Sequence, residues 1–357
     1  MKIIPHNKPC LDEKEVKAIE KIIKSQWLIM GQEVKKLEDN IKKLTQKRFA
    51  LAVNSGTSAL HLCLIALGIG SSDEVIIPTY TCSALLNATN YTGATPVIVD
   101  IENDGFNIDP KNIKKKLTSK TKAIIVPHTF GFPAKIVEIK KFNIPIIEDC
   151  AQALGSYYQN KALGAFGDIS IFSFYATKMI ATGQGGMLLT NNSQYFEIVK
   201  DLTDYNCRAD YKTRYNYQLT DIQACIGNIQ FNKLISFIKK RKYIASRFID
   251  VLEKKNNILY FPGRQDKYLN HYRFIIQFKN ERVRNTIKRK LNNLGITSIP
   301  PISTFELLHN LLRLEKSDFP NAQKLSLTTL SLPISPSVKE KEVDIIASAL
   351  ESLLDNN

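Results

Sequence analysis

The sequence predicts an α/β fold: a large domain on a mostly parallel sheet, followed by a small α+β C-terminal domain. Three observations carry this. Short apolar runs and helical patterns alternate from Phe49 to Leu189, the pattern of βαβ units. Several runs end in a polar or acidic residue, as buried strands do where they reach a sheet edge. Beyond Ala224 the alternation gives way to one long helical run, near Thr220 to Asn256, and then to brief strand and helix patterns. A chain of 357 residues suits two domains, expected at residues 1–235 and 236–357.

In chain order, residues 12–25 read as a helix. Asp12 with Glu15 three residues later makes a capping box, and Val16, Ile19, Ile22 and Ile23 form an apolar stripe. SQWLIMGQ, residues 25–32, breaks the pattern, and Val34, Leu37, Ile41 and Leu44 then mark a second amphipathic helix. Strands are expected at Phe49–Val53, Glu74–Ile77, Pro96–Val99, Ala123–Val126, Pro145–Glu148, Ile169–Phe174 and Gly186–Leu189. Helices are expected at Thr57–Leu67, Cys82–Tyr91, Pro110–Leu117 and Ala134–Lys141. In the C-terminal unit, Tyr272–Phe278 and Leu330–Pro333 read as strands, and Asn280–Leu294 and Lys339–Leu354 as helices.

The chain carries 49 Lys and Arg against 34 Asp and Glu, a formal charge of +15. Such a balance can mark nucleic-acid binding, but the lysines are dispersed, as in KKLEDNIKKL and IKKRKY, and no nucleic-acid-binding signature is present. No nucleic-acid partner is expected. A basic surface also suits an anionic, nucleotide-linked substrate. The six cysteines (10, 63, 82, 150, 207 and 225) have no CxxC spacing, which argues against a disulfide framework. No run approaches the ~20 apolar residues of a membrane span, and no signal pattern opens the chain. A cytoplasmic protein without a membrane partner is expected.

The stretch 146–186 concentrates the chemistry. The run ending at Glu148-Asp149 delivers a carboxylate, and the run from Ile169 leads to Ser173, Lys178 and the turn Gly183-Gln184-Gly185-Gly186. A lysine amine and a strand-end carboxylate serve one site in pyridoxal phosphate (PLP) chemistry: the amine bonds the cofactor aldehyde, and the carboxylate keeps the pyridine nitrogen protonated. A helix N-terminus with small residues is the usual grip on the phosphate, and Asn54-Ser55-Gly56-Thr57-Ser58 supplies one after the run Phe49–Val53. In such sheets ligands bind beyond the strand carboxyl ends, where Gly56, Thr57, Pro78, Thr79, Tyr80, His128, Asp149 and Lys178 are all expected.

The motifs NSGTSALHL, IIEDCAQALG, SIFSFYATK, GQGG and YNYQLTDIQACIG occur in the order seen in the DegT/DnrJ/EryC1/StrS aminotransferases. From about Pro5 to Leu354 the chain resembles this family, with the PLP-dependent aminotransferase type I fold. The resemblance implies that Lys178 is the Schiff-base lysine and proton shuttle, and that Asp149 pairs with the pyridine nitrogen. Gln152, one helical turn past Asp149, would lie near the ring hydroxyl. Gly56, Thr57, Ser58 and Ser173 would bind the phosphate. Asn216 would reach the phosphate of a neighbouring subunit, so that a homodimer shares its active sites. Glu148 is expected to cap a turn or point away, and His128 to be a core residue or a minor site contact. Trp27 either packs between the first two helices or lies near the substrate.

Two departures bear on the site. Cys82 falls where the family commonly has an aromatic residue stacked on the cofactor ring, and Tyr80 nearby may point elsewhere by strand geometry. Gln184 stands where the family usually has glutamate. The segment SIPPISTF, 298–305, also replaces a His- and Tyr-containing one. The activity implied is transfer of an amino group from L-glutamate to a keto group of a nucleotide-linked deoxysugar, the 4-keto position being favoured by IIPHNKPCLDEKEV, for polysaccharide or amino-sugar biosynthesis. The alternatives are a cyclitol or small phosphorylated ketone as acceptor, a PLP-dependent dehydratase, against which Lys178 argues, and a non-enzymatic regulatory or scaffold protein.

Overall fold

The structure, a computed structural model, describes residues 3–255, 258–261, 263, 266 and 268–355. Two helices, α1 (Glu13–Ser25) and α2 (Gln32–Thr45), come first. The alternating region forms β1 (Phe49–Val53), α3 (Gly56–Ala66), β2 (Glu74–Pro78), α4 (Ala84–Tyr91), β3 (Thr95–Val99), α5 (Pro110–Lys116), β4 (Thr121–Pro127), α6 (Ile136–Ile139) and β5 (Ile146–Asp149). A small hairpin, β6 (Tyr157–Tyr158) and β7 (Lys161–Ala162), precedes β8 (Ile169–Ser173), β9 (Gly186–Thr190) and α7 (Ser193–Thr203).

The seven long strands make one sheet in the order β1-β9-β8-β5-β4-β2-β3. Only β9 runs against its neighbours, pairing antiparallel with both β1 and β8; the other pairs are parallel. Helices cover both faces, so the strands are apolar on both sides, as FALAV, EVIIP and TPVIV require. The topology brings the carboxyl ends of six strands to one edge. Because β9 is reversed, its first residue, Gly186, arrives at that same edge.

α8 (Asp221–Leu252) opens with a capping box between Thr220 and Gln223. Its first half, with Ala224, Leu234 and Ile238, packs in the large core. Its second half, from Ile244 to Leu252, packs with the C-terminal elements and with Ile4. Those elements are β10 (Leu259–Phe261), β11 (Phe274–Gln277), α9 (Glu281–Asn293), α10 (Leu308–Leu311), α11 (Pro320–Thr328), β12 (Thr329–Leu332) and α12 (Glu340–Asp355). The strands form an antiparallel three-stranded sheet, β10-β11-β12. The expected helix from Thr220 ends at Leu252, and Asn256 lies outside the described residues.

Two expectations differ from the structure. The α1 stripe is not the buried face: Val16 is 56% and Ile23 58% exposed, and only Ile22 of the four is buried. The face turned to α8 is chosen by charge. Glu15, 3% exposed, accepts hydrogen bonds from Lys233 Nζ at 2.7 and 2.8 Å and from Gln230 Nε2 at 2.6 Å. A buried carboxylate demands such partners, and meeting them rotates Val16 and Ile23 outward. Trp27 does not pack between the helices either. It is 55% exposed, and its indole N–H donates to Met30 O at 3.3 Å. α2 has no cap of its own at Gly31. Asp221 caps it from the start of α8, accepting from Gly31 N and Val34 N at 2.9 Å each.

Candidate active site

The end of β1 leads straight into the N-terminus of α3. Ser55 is the N-cap, and its hydroxyl accepts the Ser58 N–H at 3.0 Å. The Ser58 hydroxyl donates to Asn54 Oδ1 at 2.7 Å and contacts Ser55 Oγ at 2.8 Å. The polar groups of Ser58 are thus engaged within the cap. The N–H groups of Gly56 and Thr57, in the first turn, have no intrahelical acceptor and carry the positive end of the helix dipole.

Two other strands close on this turn. A Cβ on Gly56 would stand 3.0 Å from the Ser173 Cβ and 3.4 Å from its Oγ, so the Ser173 hydroxyl lies against the helix start. A Cβ on Gly186 would stand 2.6 Å from the Gly56 nitrogen, so β9 can pass only as glycine. The segment with Asn216 is laid alongside: Asn54 N donates to Tyr217 O at 2.7 Å, and Asn54 Nδ2 to Asn216 O at 3.1 Å. The Asn216 side chain is exposed.

Two acids end β5 and face opposite ways. Glu148 is fully buried, and it accepts from Gly164 N, Phe166 N and Gly167 N at 2.6, 2.8 and 2.7 Å. His128 Nε2 lies 3.0 Å from it, while His128 Nδ1 accepts the Ala134 N–H at 2.9 Å. The Ala134 bond fixes the tautomer, so Nε2 carries the proton toward Glu148. Both residues serve the far side of the strand. His128 is a core histidine, with both ring nitrogens used.

Asp149 turns to the strand-end edge. One oxygen accepts the Ala151 N–H at 2.9 Å. Burial pushes its carboxyl above the usual range, opposed by the Ala151 N–H and the charge of Lys178. A carboxylate so placed favours a cationic partner. Gln152 Oε1 accepts the Phe130 N–H at 2.7 Å, which leaves its NH₂ as the group free for a ligand.

Lys178 follows β8 in a turn closed by its own N–H to Tyr175 O at 2.8 Å. Its Nζ lies 5.8 Å from the centre of the Tyr272 ring, and no carboxylate pairs with it among the described residues. Tyr272, from just before β11, was not singled out from the sequence. Burial would raise its phenol pKa, but the charges of Lys178 and Arg273 and an interaction with the Thr177 side chain lower it overall. Cys82 is exposed and near enough to Lys178, Asp149 and Glu306 for their charges to act on its thiol. Tyr80 is fully buried between Phe106 and Phe130 and cannot stack on a ligand there. The Gln184 side chain is exposed, and its carbonyl accepts from Thr182 Oγ1 and Gln223 Nε2 at 2.6 and 3.0 Å.

The edge therefore gathers a free amine, a buried carboxylate and a small-residue helix start with unspent N–H donors. This set fits the aldehyde, pyridine nitrogen and phosphate of PLP. Fold and donor set together define a PLP-dependent aminotransferase. The DegT/DnrJ/EryC1/StrS aminotransferase family model matches residues 9–351, and the chain belongs to that family. It is 34% identical to GDP-perosamine synthase of Escherichia coli O157:H7, covering 98% of this chain and 98% of that protein. Spr1654 of Streptococcus pneumoniae in its PMP form superposes with a TM-score of 0.92 at 26% identity, over 99% of this chain and 98% of that one. It has also been solved in its PLP form. Helicobacter pylori PseC, an aminotransferase involved in the biosynthesis of pseudoaminic acid, superposes with a TM-score of 0.90 at 26% identity over the whole of both chains.

Proposed function

We propose that this protein is a sugar aminotransferase that moves an amino group from L-glutamate to the keto group of a nucleotide-linked deoxysugar, with the 4-keto position favoured. The product would feed polysaccharide or amino-sugar biosynthesis. The observation that carries the reading is the unpaired Lys178 amine on the same sheet edge as Asp149 and the Gly56–Thr57 helix start. The sugar class is supported by the likeness to GDP-perosamine synthase, and the net charge of +15 suits an anionic diphosphate substrate.

When bound, PLP supplies an aldehyde that exchanges amines and a ring that accepts electrons. Lys178 would hold the aldehyde carbon, and its Nζ, when free, would remove and return the proton at the substrate carbon that loses or gains nitrogen. Asp149 would keep the ring nitrogen protonated through charge pairing. Gly56 N–H, Thr57 N–H and Ser173 Oγ would hold the phosphate. Ser58 acts behind them, bracing the cap through Asn54 and Ser55. Gln152 offers its NH₂ to the ring hydroxyl.

A cytoplasmic homodimer with shared sites completes the proposal. The exposed apolar residues Val16, Ile23, Trp27, Leu28, Ile29 and Met30 suit a buried interface, and the exposed Asn216 side chain is available to a partner. The test is incubation with glutamate and a panel of GDP-, dTDP- and UDP-linked 4-keto-deoxysugars, following 2-oxoglutarate release. Turnover confined to non-nucleotide ketones overturns the substrate class; sedimentation as a fully active monomer overturns the shared site.

A further inference from the structure

The segment before α1 belongs to the small domain by its contacts. Ile4 N donates to Gly295 O at 2.8 Å, and Thr297 N to Ile4 O at 3.0 Å. His6 Nε2 lies 2.9 Å from Ser331 Oγ and 3.4 Å from Arg273 Nη1. Ser335 Oγ donates to Lys8 O at 2.8 Å. Within this strap one side chain points the other way. Asn7 Nδ2 donates to the carbonyl of Thr177 at 2.9 Å, and Thr177 is the residue before Lys178.

We propose that Asn7 is a positioning residue for Lys178, and that through it the small domain sets where the lysine amine sits. The geometry is direct. The Thr177 carbonyl belongs to the peptide unit whose nitrogen is that of Lys178, so a bond to its oxygen fixes that plane. The plane fixes the direction in which the Lys178 Cα–Cβ bond leaves the turn. The other end of the turn is fixed by Lys178 N to Tyr175 O. Tyr272, also at the edge of the small domain, lies beside Nζ, 5.8 Å from it at the ring centre. The Lys178 turn is thus met from the small-domain side at two places, the Thr177 carbonyl and the amine itself. The strap is bonded to the small domain at residues 4, 6 and 8 and to the Lys178 turn at residue 7, so the place of the small domain is passed on to Lys178. Placement of a reacting group is worth large factors in rate, so a single neutral hydrogen bond can act well beyond its contribution to stability.

This inference rests on the reading of Lys178 as the cofactor lysine. The test uses the holoenzyme with Asn7→Asp and Asn7→Ala, and Lys178→Ala as control. Aspartate keeps the size of asparagine but removes the donor and sets a carboxylate against a carbonyl oxygen. A packing role predicts that aspartate behaves like asparagine; a donor role predicts that it behaves worse than alanine. The single-turnover rate constant with saturating glutamate is expected to fall about fivefold for alanine and about twentyfold for aspartate, the scale of one lost hydrogen bond and one added repulsion. The apparent glutamate affinity and thermal midpoint stay at the wild-type values. The midpoint pH of the resting enzyme's visible absorption band shifts in both variants, a readout independent of turnover. Aspartate matching wild type within twofold, or a band midpoint that does not move, overturns the inference while leaving Lys178 in place. A visible band retained by Lys178→Ala overturns the assignment of the lysine, and this inference with it.

Discussion

Gly186 lies against Gly56 with no room for a side chain between them: a Cβ at 186 would stand 2.6 Å from the Gly56 nitrogen and run into the Ser55 carbonyl. The reversed strand β9 thus walls the helix start proposed to hold the phosphate. Gly186→Ala is expected to push that turn outward. Overpacking of this kind costs about 1–3 kcal/mol. PLP affinity should fall about tenfold or more, read by fluorescence titration of the apoprotein. Unchanged affinity would show that this turn is not the phosphate cradle.

Glu148 and His128 tie β5 to the turn at residues 164–167. Burial alone would raise the Glu148 pKa, but the His128 hydrogen bond and the Gly167 and Gly164 N–H groups outweigh it, and the pKa is lowered. A carboxyl with a depressed folded pKa stabilises the fold fully above its unfolded value of about 4.5. That stability is lost as pH falls through the folded value. Glu148→Gln should cost about 1–3 kcal/mol and flatten the acid limb of a plot of thermal midpoint against pH. A variant as acid-sensitive as wild type would show that this group does not control the acid limb.

Asp149→Asn keeps the shape of the side chain and removes its charge. PLP binding should persist, while the single-turnover rate of amino transfer from glutamate falls about 10²-fold or more, the scale of losing one preorganised electrostatic partner. Stopped-flow absorbance checks this. A rate equal to wild type would remove Asp149 as the partner of the ring nitrogen.

The sheet was legible because its strands are short β-branched runs with buried faces on both sides, such as EVIIP and TPVIV. The Asp12–Glu15 capping box was legible because it is local. What escaped was set by distant partners. The buried face of α1 follows from Lys233 and Gln230, more than two hundred residues away from Glu15, and not from its apolar stripe. The site residues on one edge follow from strand order, so Asp149, Lys178 and Gly56 could be grouped by motif. Tyr272 and Asn7 could not. Tyr272 lies in no motif, the opening IIPHNKPCLDEKEV gave Asn7 no role of its own, and each reaches the Lys178 turn only through the docking of the small domain. Tyr80 could be removed as a stacking partner only once the Phe106–Phe130 core was seen around it. The short strand β10 and helix α11 passed unnoticed because LYF and PNAQKLSLT carry little periodicity of their own.

The central claim is that Lys178 holds PLP and that glutamate supplies the amino group. The most direct measurement is the visible absorption spectrum of the purified protein with PLP, before and after adding glutamate, for wild type and Lys178→Ala. The account predicts a visible band in wild type that glutamate converts to the pyridoxamine phosphate form, and no such band and no turnover in Lys178→Ala. A band that survives the substitution, or one that glutamate leaves unchanged in wild type, would contradict it.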